Sequence, residues 1–196
     1  MMRRLLLIAV ITILQSCSPI KNPISNEYQL SQFSAARLSQ HAEKHSILVS
    51  LPEAAAGYDS TDMIYVEKPF ELRAYANNAW ISAPNNMLLP LITQSLQQSG
   101  LFFAVASNVT GTQTDYRLDS QLIELKQNFL RKPSTLDLSL KITLIRQHDD
   151  EIVASAVFRE SVPCESDSPY GGVLAANKAT LNLTAKVTNF VNGVIR

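Results

Sequence analysis

Apolar and polar positions alternate along much of this chain, and the alternation gives way twice to a helical period. Ile47, Val49 and Leu51 alternate, with Leu48 apolar on the other side, so residues 46–51 are predicted as a strand ended by Pro52. "DMIYV" and "FELRAYA" predict two more strands. Residues 63–66 and 70–76 pair as a hairpin over the Glu67-Lys68-Pro69 turn. "AAAGYDS" before them suits a turn. The period then becomes 3.6, because Met87, Leu88, Leu91, Ile92 and Leu96 share one helical face. Asn85 or Asn86 caps the start, Pro90 falls in the first turn, and Gly100 sits just past the end. "LFFAV", residues 101–105, leaves the helix as a strand. Residues 115–129 alternate with a phase slip near 122–123, which predicts a bulge. The cleanest pattern spans residues 135–146. Leu136, Leu138, Leu140, Ile142 and Leu144 point one way, and Asp137, Ser139, Lys141 and Thr143 the other. "QHDD" turns the chain into "EIVASAVFRES", its hairpin partner. "ESDSPYGG" reads as a loop. From Val173 a long helix follows, with Val173, Ala176, Leu183, Val187, Phe190 and Val194 at helical spacing.

The first residues are organised differently. "MMRR" is a short basic region, and Leu5–Leu14 is apolar without a charge. A membrane-spanning helix needs about 20 apolar residues, so this run fits a secretory signal instead. Leu14-Gln15-Ser16-Cys17 resembles the lipobox of bacterial lipoproteins, with Gln15 a departure from the usual small or β-branched residue. That resemblance implies cleavage after residue 16, a diacylglycerol on the Cys17 thiol and acylation of the new amino terminus. Ser18, where an aspartate would favour inner-membrane retention, implies delivery to the outer membrane. Residues 17–27, with Pro19 and Pro23, read as a lipidated tether, and the domain spans 28–196. "YQL" at 28–30 starts a strand, and residues 31–44 form a loop or edge. The expected fold is α+β: a two-layer α/β sandwich, with a mixed sheet, a long antiparallel hairpin and two main helices packed on one face.

The chain has 196 residues, enough for one domain with its own core. Seventeen basic residues balance seventeen acidic ones, and loss of Arg3 and Arg4 with the signal leaves a net charge of −2. Such a balance argues against nucleic acid as a partner. Cys17 and Cys164 are the only cysteines, so no disulfide framework exists, and Cys164 reads as a small buried hydrophobe. Catalytic patterns are missing: there is no HExxH, paired CxxC, GxSxG or phosphate-cradling glycine loop. His41 and His45 lie in a polar stretch and read as solvated, and Asp149-Asp150-Glu151 reads as a solvated hairpin turn. The chain reads as a non-enzyme without cofactor or metal.

"AYANNAW", residues 74–80, brackets two asparagines with Tyr75 and the lone tryptophan, Trp80. Asn77 and Asn78 suit a turn, which places both rings at a strand-to-helix corner. The phrase reads as a structural clasp, and the alternative is an outer face that binds a partner or lipid. Gly57-Tyr58, Met63 to Tyr65, Tyr75-Ala76 to Trp80, Pro84, Leu88 to Leu96 and Leu101-Phe102 together resemble the ABC-type transport auxiliary lipoprotein family. The resemblance continues to about residue 194. Ala79 departs from it, standing where a larger polar or basic residue is usual. It implies an accessory subunit of an ABC/MCE-type lipid transport system, whose partners are an MCE-type periplasmic protein and ABC transporter components. A structural envelope lipoprotein and a lipid-carrying module are the alternatives. Exposed sheet edges allow self-association into a homo-oligomer.

Overall fold

A computed structural model describes residues 26–40, 45–107, 111 and 113–195. Cys17 and His41 lie outside the described residues. The framework is a meander of three long strands: β7 (Tyr116–Asn128), β8 (Thr135–Arg146) and β9 (Glu151–Pro163). β8 pairs antiparallel with both neighbours along its length, setting Leu118 against Leu144, Leu122 against Leu140 and Leu136 against Val162. The register breaks between Leu122 and Glu124. This bulge is the phase slip legible in the sequence, and it returns Leu125 to the face that Leu118 and Leu122 occupy. Leu118, Leu122, Leu138, Leu140, Ile142 and Leu144 are wholly buried. Burying one such side chain contributes roughly 1.5–3 kcal/mol.

The other edge of β7 is shared by three strands in succession, all parallel to it. They are β2 (Ser46–Val49), β3 (Glu53–Ala54) and β4 (Asp62–Val66). β6 (Ala104–Ser107) extends the sheet beyond β2, while β5 (Arg73–Trp80) and β1 (Asn26–Tyr28) extend it beyond β4. Among the described residues, the result is a mixed nine-stranded open sheet with two helices, an α+β fold. α1 (Pro84–Ser99) covers β2 and β6, and α2 (Pro169–Ile195) lies across β8 and β9. Both sit over the apolar face, where they touch: the Ser95 and Thr188 hydroxyls are 2.9 Å apart. Ala175, Ala176 and Ala179 keep the buried side of α2 narrow, so the helix lies close to the sheet. The opposite face is polar, with Arg117 paired to Asp119 and Lys126 to Glu124.

Several local expectations need correcting. The strand expected to start with 28–30 lies instead at Asn26–Tyr28 (β1), where it pairs with β5. The strand expected over 46–51 stops at Val49, and the one expected at 101–105 starts at Ala104, since Leu101 and Phe102 turn into the core. Neither Asn85 nor Asn86 caps α1. Ala83 holds the cap position without a side-chain bond, while Asn85 donates to the Pro52 carbonyl at 3.1 Å. Pro90 lies beyond the first turn, on the exposed side, because the helix starts as early as Pro84. Gly100 does end α1 in the left-handed conformation, with φ +73°. α2 begins at Pro169 rather than Val173. Pro169 is pre-shaped for a first helical position, and the Ser168 hydroxyl accepts the Gly171 N–H at 3.1 Å.

Candidate functional site

The aromatic phrase at 74–80 is built differently from the corner its sequence suggests. Asn77 and Asn78 are not a turn; both lie inside β5, where Asn78 pairs with Asn26 of β1. The turn chemistry is overridden because β1 supplies a second edge for that stretch. Against β4 the register jumps: Asp62 faces Ala79, and Ile64 faces Ala74. Residues 75–78 therefore bulge opposite Met63. Tyr75 and Trp80 are five apart, which in a regular strand would put them on opposite faces. The bulge brings both to the helix side, where they line one small space with Met63, Leu125, Leu136 and Gly172.

Trp80 is only 3% exposed, and its backbone N–H donates to the Thr61 carbonyl at 2.8 Å. Tyr75 is half-buried and stacks on Tyr65 with ring centres 4.5 Å apart. Its hydroxyl donates to Gln127 Oε1 at 2.9 Å, and Gln127 Nε2 donates to Ser134 Oγ at 3.0 Å. Ser134 N–H in turn donates to the Asp167 carboxylate at 2.9 Å, and its carbonyl accepts the Cys164 N–H at 2.8 Å. Burial pushes the Tyr75 hydroxyl well above the ordinary tyrosine range, so it stays a neutral donor. Ser134 holds the Asp167 carboxyl below its usual range by donating to it. Gly172 completes the chain of contacts: a Cβ there would stand 2.6 Å from Gln127 Oε1. The glycine that reads as loop flexibility is instead a contact between the first turns of α2 and Gln127. The chain thus links β4 and β5 to β7 and to the start of α2.

This small space measures about 10 Å³, room for at most one water and far too small for an acyl chain. A wider opening of about 660 Å³ lies at the other end of the sheet, lined by His45, Asp115, Arg146 and His148 among others. His45 rests edge-on against Tyr116. Ser46 donates its N–H and hydroxyl to Asp115 at 2.6 and 2.7 Å, which lowers that carboxyl below its usual range. In the adjacent β8–β9 turn, Arg146 engages Asp149 and Glu151, and Asp150 takes φ +53°. Among the described residues, no group of three or more His, Cys, Asp or Glu side chains could hold a metal ion.

A second polar knot was not legible in the sequence. Ser34 N–H donates to Thr184 Oγ1 at 2.9 Å, and Ser95 Oγ donates to the Ser34 carbonyl at 2.8 Å. Asn177 accepts the Ser31 N–H at 2.8 Å. These bonds fix residues 31–34, which read as a polar loop, against both helices. The only signal was the four-residue spacing of Thr180, Thr184 and Thr188, each bonded to the carbonyl one turn back. Cys164 is buried as expected, and burial pushes its thiol up.

The family model "ABC-type transport auxiliary lipoprotein component" matches residues 28–188. Among solved structures, protein XCC0632 from Xanthomonas campestris is similar at a TM-score of 0.78 and 21% identity, over 85% of this chain and 94% of that one. The hypothetical protein CT253 from Chlamydia trachomatis is similar at a TM-score of 0.52 and 9% identity, over 78% and 98%. At these identities the likeness concerns the fold. No curated protein matches the sequence.

Proposed function

We propose a function from one premise: the chain belongs to the ABC-type transport auxiliary lipoprotein family. On that premise it is a non-enzymatic accessory subunit of an ABC/MCE-type lipid transport system. Cys17 carries the lipid anchor, the domain faces the periplasm from the outer membrane, and its surface docks an MCE-type component of the transporter. The observation that carries this reading is the family match across nearly the whole folded domain. The polar walls of the wide cleft and the roughly 10 Å³ of space beside Trp80 favour docking over carriage of a lipid inside the domain. Tyr75 and Trp80 are then structural, holding β5 to β7 and α2, since a side chain 3% exposed has little surface to offer a partner.

Two experiments test the two halves. Density-gradient separation of the membranes, with mass spectrometry of the amino-terminal peptide, reads the anchor. Diacylated, N-acylated Cys17 in outer-membrane fractions is expected; an unmodified Cys17, or recovery with the inner membrane, contradicts it. Docking is read by recruiting a purified soluble MCE-type domain to proteoliposomes that display the lipidated protein. Saturable recruitment is expected, and binding no greater than to bare vesicles contradicts it.

A further inference from the structure

Two loops leave the same end of the sheet. β4 and β7 run parallel there, with Val66 facing Asn128, and the Phe129 N–H donates to the Val66 carbonyl at 2.9 Å. Residues 67–72 then turn back into β5, and residues 129–134 into β8. Phe70 in the first loop is fully exposed and holds φ +69°, a left-handed conformation that bulky residues rarely adopt. Leu72, in the same loop, and Leu130, in the second, are each 49% exposed. Three cations neighbour these residues in sequence: Lys68 lies two before Phe70, and Arg131 and Lys132 follow Leu130. Glu67 and Glu71 both engage Arg73, and Asp167 lies near Lys132. Among the described residues, Lys68 and Arg131 form no ion pair. Apolar side chains at a loop tip with cations set around them match the boundary between headgroups and acyl chains.

The direction of the chain identifies the occupant. β1 runs parallel to β5, and Asn26 faces Asn78. β5 starts at Arg73, beside the two loops, so the amino-terminal end of β1 at Asn26 points toward the loop end. Five residues back along β5 cover at most about 17 Å, whereas the stretch from Cys17 to Asn26 reaches about 30 Å when extended. A lipid on Cys17 can therefore lie level with the loop tips. We propose that this end of the domain is seated on the bilayer that holds Cys17, with Phe70, Leu72 and Leu130 entering among the lipids and Lys68, Arg131 and Lys132 meeting their phosphates. The inference rests on the anchor reading above. It also orients the molecule: the β8–β9 turn and the cleft of His45, Asp115 and His148 point away from the membrane, toward a partner.

The test uses the full-length lipidated protein in vesicles of phosphatidylethanolamine with phosphatidylglycerol as the minority lipid. Nitroxides are placed through Phe70→Cys, through Leu130→Cys and, at the far end, through Ile152→Cys; Cys164 is buried and does not compete. The ratio of oxygen to nickel-complex collisions should be several-fold higher at 70 and 130 than at 152. A ratio at 70 equal to that at 152, in protein whose Cys17 is lipidated by mass spectrometry, overturns the seating while leaving the anchor intact. Low access to both reagents marks a protein contact and overturns it as well. An unlipidated Cys17 in the same sample instead sinks the anchor reading, and with it the chain-direction argument.

Discussion

Replacing Trp80 by alanine probes the aromatic junction at its most buried point. The ring is 3% exposed and shares its surroundings with Met63, Leu125 and Leu136. A cavity of that size costs roughly 3–5 kcal/mol when the neighbours relax only partly. Collapse is resisted on two sides, because the bulge at 75–78 is held by β1 and the Tyr75–Gln127–Ser134 bonds fix the floor. A domain of this size has about 5–15 kcal/mol in all, so the loss is a large share, and Tm should fall by roughly 6–20 °C. Trp80→Phe keeps a ring in place and should cost less than half as much. Urea unfolding followed by far-UV circular dichroism is the assay, since the variant removes the chain's only tryptophan and with it the fluorescence signal. An Ala variant within about 0.5 kcal/mol of the parent, at unchanged m, would refute the packing argument. If that stable variant also lost its partner, Trp80 would be a contact residue.

Four further outcomes follow from the same geometry. Tyr75→Phe leaves Gln127 Oε1 without its donor and should destabilise by about 1–3 kcal/mol; a neutral result means water replaces the hydroxyl. Gly172→Ala should cost a similar ~1–3 kcal/mol in the same urea assay, because Gln127 can yield to the new methyl only by giving up its bonds to Tyr75 and Ser134. Cys164 should resist maleimide in the folded protein and react fully in urea, since burial both shields the thiol and pushes its pKa up. Asp115 has a lowered folded-state pKa, so its contribution is present above the ordinary carboxylate value and is lost as pH falls through the folded one. Asp115→Asn should flatten the acid side of the stability curve, and an unchanged acid limb would contradict the Ser46 bonds as the cause.

The sequence made the long hairpin legible because one face of β8 is wholly apolar and the other polar, a pattern with no competing period. The bulge at Leu122–Glu124 was readable for the same reason: an inserted residue leaves a visible slip. The junction at 74–80 was not readable. Two asparagines favour a turn by local chemistry, yet the pairing with β1, some fifty residues distant, holds them in a strand. The helical start at Pro169 was hidden by Gly171 and Gly172. These look like loop residues but are required by close approaches, to the Ser166 carbonyl and to Gln127. Phe70 carried no warning either, since exposure and a left-handed φ belong to the fold and not to the residue type.

The central claim is that the lipid-anchored domain serves a transporter. Gentle solubilisation of envelopes, followed by capture of the tagged full-length protein and identification of what accompanies it, tests this most directly. Recovery of MCE-type and ABC-transporter components, lost in Cys17→Ser, is the predicted result. Recovery of other outer-membrane assembly proteins alone, or of no companion across several detergent strengths, would contradict it.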